Sequence, residues 1–575
     1  MPPRSDLSLR PRLATLLALA ATLTAPAAMA APLTFPGCGA TLQVCVDAAA
    51  SGDTVELATD SWINEAVTVT KSLTVQAAAG RRPGVRSLVA VASVADMRVE
   101  FAGLHGDTSL AGILAPGGAS LDFTATRNQL ETSANAAIEA RHSSQPGTYG
   151  ALTAHITDNT IIHRRNGSWC GSPMRVLASY PGPISTTIAR NRITAVNLTE
   201  CALIELYATT GPFHVLAQHN TLRGTGGFNN GISLRSQGGA VTAAVLNNVI
   251  SGQRNFAGGP AAITLYAEAD NAHIDAQVLH NTIVGNEVGL NAGARTDLGA
   301  RLTGRLANNI FAHHTRHAFW LDSDEVPDFL DSYNLVFDAP PLPPTGGPRP
   351  YGPGTRTGNP QFGDPEPGDF SLRPGSDAID YGSDTLADAR VTQDLLGQPR
   401  RVRTVDMGAY EFQGTPLPQV RIANASAIEG PAGGTRQLHF TVTLSATPTA
   451  PVSLHWRTAN GTANAPADYT SGLGSLTWPA GDNSARTISI SVQGDDDTEP
   501  NETLLLLFEN VTGATAATAQ AIGTIVSDDG APGPADGGAH PVPALGPAGL
   551  IASGALLGAC GAMAARRRRQ GQQGA

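Results

Sequence analysis

An asparagine recurs through the first half of the chain at nearly regular intervals, followed two positions later by isoleucine, leucine or valine. The copies begin at Asn128, Asn159, Asn191, Asn220, Asn248, Asn281, Asn308 and Asn334, so the steps are 31, 32, 29, 28, 33, 27 and 26 residues. Such periods indicate a solenoid or a propeller, whose blades are longer, at about forty residues. Asparagine tolerates left-handed turns, and its amide can bond the same amide one coil above. The repeat therefore predicts a parallel β-helix with one asparagine turn per coil.

The segments at both ends of this repeat resemble parts of secreted β-helix proteins. Cys45–Leu57 and Val67–Gln76 resemble the opening of pectin-lyase-like β-helix proteins, where a short amphipathic helix caps the first coils. Gly368–Asp380 and Val405–Glu411, which ends in Asp-Met-Gly-Ala-Tyr-Glu, resemble the closing motif of secreted choice-of-anchor proteins. The resemblance covers residues 31 to about 414 and implies a right-handed parallel β-helix with an N-terminal cap.

Residues 417–530 have a different pattern, in which apolar residues alternate with polar ones. Runs such as Gln437–Val442 and Thr487–Val492 predict half-buried strands, and about seven of these make an antiparallel β-sandwich. Carboxylates stand at the strand ends and would meet at one tip of the sandwich. Because clustered carboxylates repel one another, a hard divalent cation with oxygen ligands is their natural partner.

This second segment resembles a Calx-beta domain. The resemblance rests on Thr458–Tyr469, Trp478–Gly481, the acidic run Asp495–Glu502 and the closing Ser527–Asp529, where Gly530 takes the place of a third aspartate. It implies Ca²⁺ binding, and the alternative is that the carboxylates are solvated loop residues without a metal. The ligands that it implies are Glu429, Asp468, Asp495, Asp496, Glu499, Glu502, Asp528 and Asp529.

Both chain ends predict export. Residues 1–30 have a basic start, a short apolar stretch and an Ala28-Met29-Ala30 cleavage pattern, as in a secretory signal peptide. After a Gly/Pro-rich linker at 531–541, residues 542–565 carry no charge and four arginines follow. This tail, 542–575, resembles a bacterial sorting signal of the IPTL-CTERM or PEP-CTERM kind, which implies an exosortase-type sorting protease. A plain single-span membrane helix is the alternative. The expected location is the bacterial cell surface, the outer membrane or the medium.

Export permits disulfides. Cys170 and Cys201 follow their repeat asparagines by 11 and 10 residues, so we expect them on adjacent coils and paired. Cys38 and Cys45 are expected to pair in the N-terminal cap, and Cys560 in the tail is expected to stay unpaired.

The composition limits the function classes. Charged residues make up only 15% of the chain, and 63 glycines and 40 prolines favour a loop-rich all-β protein. The net charge is −11, and the only basic block lies at the extreme C-terminus, so the sequence gives no indication of nucleic-acid binding.

β-Helices of this kind often bind or cleave acidic polysaccharides, so we searched the coils for a site. Counting six residues beyond successive asparagines puts Arg254, Glu287 and His314 roughly in line. They could form a sugar-binding line or a rudimentary acid–base site, or a solvated edge with compensating charges. No catalytic set of a polysaccharide lyase or glycoside hydrolase is evident. The sequence therefore favours a non-catalytic calcium-binding surface protein in adhesion, envelope structure or glycan binding, with a polysaccharide-active enzyme as the alternative.

Overall fold

In the computed structural model, the chain winds into stacked coils of three short strands each, followed by a β-sandwich. The structure describes residues 31–529 except 134–135, 165–170, 197–200, 226–228, 253–260, 322–323, 343–348 and 367. The chain divides into two units, 1–417 and 418–575. The first unit holds a parallel β-solenoid and the second holds the sandwich, so the all-β prediction is confirmed.

The predicted signal peptide (1–30), linker (531–541) and sorting tail or membrane helix (542–575) lie outside the described residues. Within the described residues, none of the helices has the length and apolar character that crossing a bilayer requires.

Strands of successive coils pair in parallel and build three sheets. Sheet 1 comprises Leu33–Phe35, Thr54–Leu57, Leu73–Ala77, Met97–Ala102, Leu121–Thr126, Leu152–Thr157, Ile184–Ala189, Phe213–Gln218, Ala240–Leu246, His273–Leu279, Arg301–Ala307 and Phe329–Ser332. Sheet 2 comprises His105–Gly106, Gln129–Thr132, Thr160–Arg164, Arg192–Val196, Thr221–Thr225, Val249–Ser251, Thr282–Val284, Ile310–Ala312, Leu335–Phe337 and Arg356–Thr357. Sheet 3 comprises Trp62–Val69, Gly84–Ala92, Ser109–Leu114, Ile138–His142, Met174–Ala178, Cys201–Ala208, Asn229–Ser236, Ala261–Ala267, Val288–Ala294 and His317–Leu321.

A buried ladder of asparagines runs through the turns that connect sheet 1 to sheet 2. Each side-chain Nδ2 donates to the Oδ1 of the asparagine on the next coil at 2.9–3.0 Å, and each backbone N–H donates to that same oxygen. These bonds satisfy polar groups that would otherwise be costly to bury. The ladder consists of Asn128, Asn159, Asn191, Asn220, Asn248, Asn281, Asn309 and Asn334.

The structure corrects two details of the predicted repeat. The left-handed residue is not the asparagine but the one before it, as at Arg190 and His219, both with φ of 56°. On the seventh coil the ladder residue is Asn309 and not Asn308, because Phe311 takes the inward position that pairs with Ile283. Asn308 is the left-handed residue of that coil, with φ of 56°.

The N-terminal end of the solenoid is covered by a short helix. The helix Leu42–Ala48 closes the first coils, and the carboxylate of Glu65 accepts the first two backbone N–H groups of that helix. Cys38 and Cys45, the pair predicted in this cap, form a disulfide with a Cα–Cα distance of 5.3 Å. Of the other predicted pair, Cys170 lies outside the described residues and Cys201 begins a strand of sheet 3.

Residues 376–412, here called the closing segment, wrap around the corner formed by the asparagine turns. Val391 packs against the outer face of sheet 1, and Met407 and Tyr410 pack against the outer face of sheet 2. The segment follows a short antiparallel pair, Phe362–Asp364 and Asp369–Leu372. A 3₁₀ turn, Thr296–Leu298, lies between two of the coil strands.

The sandwich has two sheets around a separate core. One contains Gln419–Ile422, Thr435–Leu444, Arg486–Gln493 and Thr515–Ala516, and the other contains Ala425–Ile428, Val452–Asn460, Leu473–Trp478, Glu502–Thr512 and Gln520–Val526. Most pairs are antiparallel, as predicted, but Ala425–Ile428 runs parallel to Gln520–Val526, and Gln419–Ile422 runs parallel to Thr515–Ala516.

Candidate functional site

Strand directions bring acidic residues from distant parts of the sequence to one tip of the sandwich. Because Ala425–Ile428 and Gln520–Val526 are parallel, Glu429 and Asp528 follow the ends of neighbouring strands. Glu502 starts the adjacent antiparallel strand and faces Ile525. The loop that carries Asp468 follows Val452–Asn460, whose last residue pairs close to Glu502. The predicted meeting point is therefore built by the topology of one sheet.

At this tip, carboxylates form two groups. Glu429, Asp528 and Asp529 each place an oxygen within 4.8 Å of one another. A second such group consists of Asp468, Glu499 and Glu502. Carboxylate oxygens are donors of the kind with which proteins bind Ca²⁺.

The loop after Arg486–Gln493 supplies the remaining predicted ligands. Asp496 accepts a hydrogen bond from the Ala432 backbone N–H at 3.3 Å, which fixes this loop to the one that follows Glu429. Gly494 permits that contact, since a Cβ at this position would lie 2.1 Å from the Gly430 carbonyl oxygen. Asp495 accepts from the backbone N–H of Asp497 at 2.8 Å.

The carboxylates at the tip lack compensating positive charge. Among the described residues, no arginine, lysine or histidine forms an ion pair with any of them. Glu429 is 5% exposed, and its Oε1, like Oδ2 of Asp529, is buried without a hydrogen-bond partner. Burial and the neighbouring Asp468 raise the pKa of Glu502 to about 7. Orphaned, mutually repelling oxygens of this kind fit a divalent cation.

One member of the cluster was missed by the sequence analysis. The charge of Asp497 contributes to the raised pKa values of Glu499 and Asp529, after burial and nearer carboxylates. Its place at the end of the Asp495-Asp496-Asp497 run was the signal in the sequence. The tip thus gathers nine acidic residues, namely Glu429, Asp468, Asp495, Asp496, Asp497, Glu499, Glu502, Asp528 and Asp529.

Of the predicted line of Arg254, Glu287 and His314 on the solenoid, the structure describes Glu287 and His314. Arg254 lies outside the described residues. His314 is 2% exposed, and burial lowers its pKa to about 4. The count was made from Asn308, whereas the ladder continues through Asn309. In the strand register of sheet 3, the residue aligned with Glu287 is Arg316, whose guanidinium lies 3.8 Å from the Glu287 carboxylate.

The outer face of sheet 3 carries charged and aromatic residues in register. Arg175 lies between Glu139 and Glu205 of the adjacent strands, at 3.7 and 2.9 Å. In the neighbouring column, Tyr207 aligns with Arg235, which aligns with Tyr266. Ion pairs and tyrosine rings therefore lie at strand spacing along this face.

Comparisons with known proteins match the two units separately. A model described as Calx-beta domain matches residues 433–529, and one described as a protein of unknown function, DUF1565, matches residues 186–344. A crystal structure of the apo form of the Calx CBD1 domain is 23% identical over 20% of this chain and 99% of that one, with a TM-score of 0.18.

Two further solved structures, CBD12 from CALX1.2 and calcium binding domain CBD12 of CALX1.1, are 23% and 24% identical. Each covers 19% of this chain, and 46% and 45% of theirs, with a TM-score of 0.17. The chain thus spans about half the length of these two. No curated protein matches the chain.

Proposed function

We propose that this chain is an exported, non-catalytic calcium-binding surface protein in which the sandwich tip holds Ca²⁺. The observation that carries the proposal is the convergence of nine carboxylates without an ion-paired cation among the described residues. The match to the Calx-beta family model supports the assignment.

Each of the two clusters of carboxylates would bind one Ca²⁺ ion. Glu429, Asp528 and Asp529 would hold one ion, and Asp468, Glu499 and Glu502 a second. Asp495 and Asp496, on the loop between these groups, would complete the ligand set. Bound Ca²⁺ supplies positive charge that offsets the repulsion at the tip. These carboxylates would then fix four loops to one another, and the folded sandwich would gain stability by mass action.

Calcium titration of the full chain tests this proposal. We expect a binding heat and a higher melting temperature of the sandwich in Ca²⁺ than in chelator. Glu502→Gln should reduce both, because it removes a shared charge. Glu509→Gln is the matched control, since this residue lies on the same strand but pairs with Arg457 instead. Equal melting temperatures in Ca²⁺ and chelator would overturn the proposal. Mg²⁺ should substitute poorly, since it keeps its waters.

We infer export from the two chain ends. Residues 1–30 would be removed as a signal peptide, and residues 542–575 would act as a sorting tail cut by an exosortase-type protease. The intact mass of the cell-associated protein tests the second step. A mass that still includes 542–575 would rule out cleavage and leave a plain membrane anchor.

For the solenoid we propose glycan binding, in adhesion or envelope structure, on the outer face of sheet 3. The tyrosine and arginine column supports this role, as does the resemblance to right-handed, pectin-lyase-like β-helices. A glycan array on wild type and on Tyr207→Ala tests it, and loss of a bound polysaccharide is the expected result. Product release from a polysaccharide would instead favour the lyase or hydrolase alternative.

A further inference from the structure

A cleft of about 530 Å³ lies between the asparagine turns and the closing segment. Its solenoid wall includes Gln218, His219 and the outward-facing Arg192 at the start of a sheet 2 strand. Leu396 and Tyr410 of the closing segment form the opposite wall. The cleft is therefore on the corner between sheets 1 and 2, away from the outer face of sheet 3.

The closing segment is held in place by its own hydrogen bonds. Asp394 is 2% exposed, and its carboxylate accepts the backbone N–H groups of Leu396, Gln398 and Glu411 at 2.8–3.1 Å. The Nε2 of His219 lies 3.1 Å from the Gln393 carbonyl oxygen, which joins the coil to the loop. The cleft is thus preformed, and a ligand would not have to order it.

Three arginines line this cleft, and they differ in how they are paired. Arg190 and Arg390 each make a bidentate bond to an aspartate, Asp158 and Asp388. Arg192 is exposed, and within the described residues its guanidinium has no ion pair or side-chain hydrogen bond. Among the described arginines of the cleft, Arg192 is therefore the one whose guanidinium is not held by a carboxylate, although the charges of Asp394 and Asp369 lie nearby.

A second donor and an apolar surface accompany Arg192. The Tyr410 ring is 7% exposed, and in the described part of the chain its hydroxyl has no hydrogen-bond partner. Burial raises the pKa of this hydroxyl, so the group stays protonated and can donate. Leu396 is 63% exposed on the same wall and supplies an apolar surface there.

We propose that this cleft binds a sugar that carries an oxyanion, either a carboxylate or a sulfate. The Arg192 guanidinium and the Tyr410 hydroxyl would donate to the oxyanion, which is the group that a guanidinium binds most strongly. The C–H face of the ring would pack on Leu396, and Gln218 and Thr392 would reach its hydroxyls. A neutral sugar would leave Arg192 without a partner, so the cleft should discriminate against it.

Titration of the full chain with three oligosaccharides of equal length tests this proposal. The probes are an oligogalacturonate, a sulfated oligogalactan and a neutral oligogalactan, each measured with Ca²⁺ and with chelator, so that the result does not depend on the sandwich tip. We expect at least one oxyanionic probe to bind, and Arg192→Gln to weaken that binding at least tenfold. Tyr410→Phe should weaken it several-fold, since it removes one donor and keeps the ring.

Arg86→Gln is the matched control, because Arg86 is also exposed on the solenoid but lies far from the cleft. Binding of the uronate alone identifies a carboxylate ligand, and binding of the sulfated probe alone identifies a sulfate ligand. The proposal is overturned if neither oxyanionic probe binds, if the neutral probe binds equally well, or if Arg192→Gln leaves the affinity unchanged. Circular dichroism and melting of each variant separate lost binding from lost folding.

Discussion

Replacing one asparagine in the middle of the ladder should destabilise the solenoid severely. Asn191 is 1% exposed, and its Nδ2 donates to the Ile156 carbonyl at 2.8 Å and to the Asn220 Oδ1 at 3.0 Å. Its Oδ1 accepts from the backbone N–H and the side-chain amide of Asn159, at 3.1 and 2.9 Å. Asn191→Ala removes all four bonds at once.

The magnitude follows from which groups lose their partners. The side-chain Nδ2 of Asn159 still donates to the Ala125 carbonyl, and the Asn220 Oδ1 still accepts the backbone N–H of residue 191. The Asn159 backbone N–H and the Ile156 carbonyl lose the contacts described above. The Asn159 backbone N–H left unpaired costs about 1–3 kcal/mol, whereas the Ile156 carbonyl belongs to a paired strand of sheet 1. Each of the other bonds lost costs about 1 kcal/mol, so the free energy of unfolding should fall by about 4 kcal/mol.

Hydrogen exchange and urea unfolding of the full chain measure this effect. Hydrogen exchange at the backbone N–H of Asn159 should speed up by more than a hundredfold, because a loss of about 2.7 kcal/mol in the free energy of opening corresponds to a hundredfold faster exchange. Asn291→Ala is the control, since Asn291 lies on an outward position of sheet 3, and its effect should stay within about 0.5 kcal/mol. A loss below about 1 kcal/mol for Asn191→Ala, with protection of Asn159 unchanged, would refute the ladder as a source of stability.

Three further predictions concern the closing segment and the N-terminal cap. Gly408 has φ of 92°, and a Cβ there would lie 2.6 Å from a side-chain carbon of Ile310, so Gly408→Ala should lower stability by about 2–4 kcal/mol and expose the closing segment to proteolysis. Burial raises the pKa of Asp406 to about 6 and that of Glu411 to about 7. Because the folded state then binds more protons, stability should fall as pH rises from about 4 to about 7, and Asp406→Asn should flatten this dependence in denaturation curves. Cys45→Ser should lower the free energy of unfolding by about 2 kcal/mol, measured in denaturation curves without reductant, because it opens a short closed loop.

The period of the asparagines made the solenoid predictable, because each coil must bury one turn and one inward apolar residue. The register failed on one coil, where Asn308 and Asn309 are adjacent and both have an apolar residue two positions on. Only packing decides between them, since the inward position is filled by Phe311 and the outward Ile310 lies under the closing segment. Because of this one-residue error, the sequence predicted His314 on the surface, whereas it is buried.

The acidic tip was predictable for a different reason. Carboxylates at strand ends must gather at one end of a sandwich if neighbouring strands alternate in direction, whatever the details of side-chain packing. The parallel pairing of Ala425–Ile428 with Gln520–Val526 was not predicted, yet it leaves Glu429 and Asp528 at the same end. The corner cleft was unpredictable, because it joins Arg192 to Tyr410 across more than two hundred residues by the return of the closing segment.

Carboxylates are paired with arginines on the solenoid but not at the sandwich tip, and this difference supports a bound metal ion at the tip. On the solenoid, exposed carboxylates commonly have an arginine on a neighbouring coil, as with Arg190 and Asp158 or Arg164 and Glu131. Elsewhere in the sandwich, too, Arg457 pairs with Glu509. The chain has 37 lysines and arginines, and many of them form ion pairs elsewhere. Within the described residues, none of them forms an ion pair with the nine carboxylates at the tip. An acidic tip with a merely structural role would gain from such pairs. Carboxylates that must release and rebind Ca²⁺ would be blocked by them, because a tethered guanidinium competes with the ion for the same oxygens.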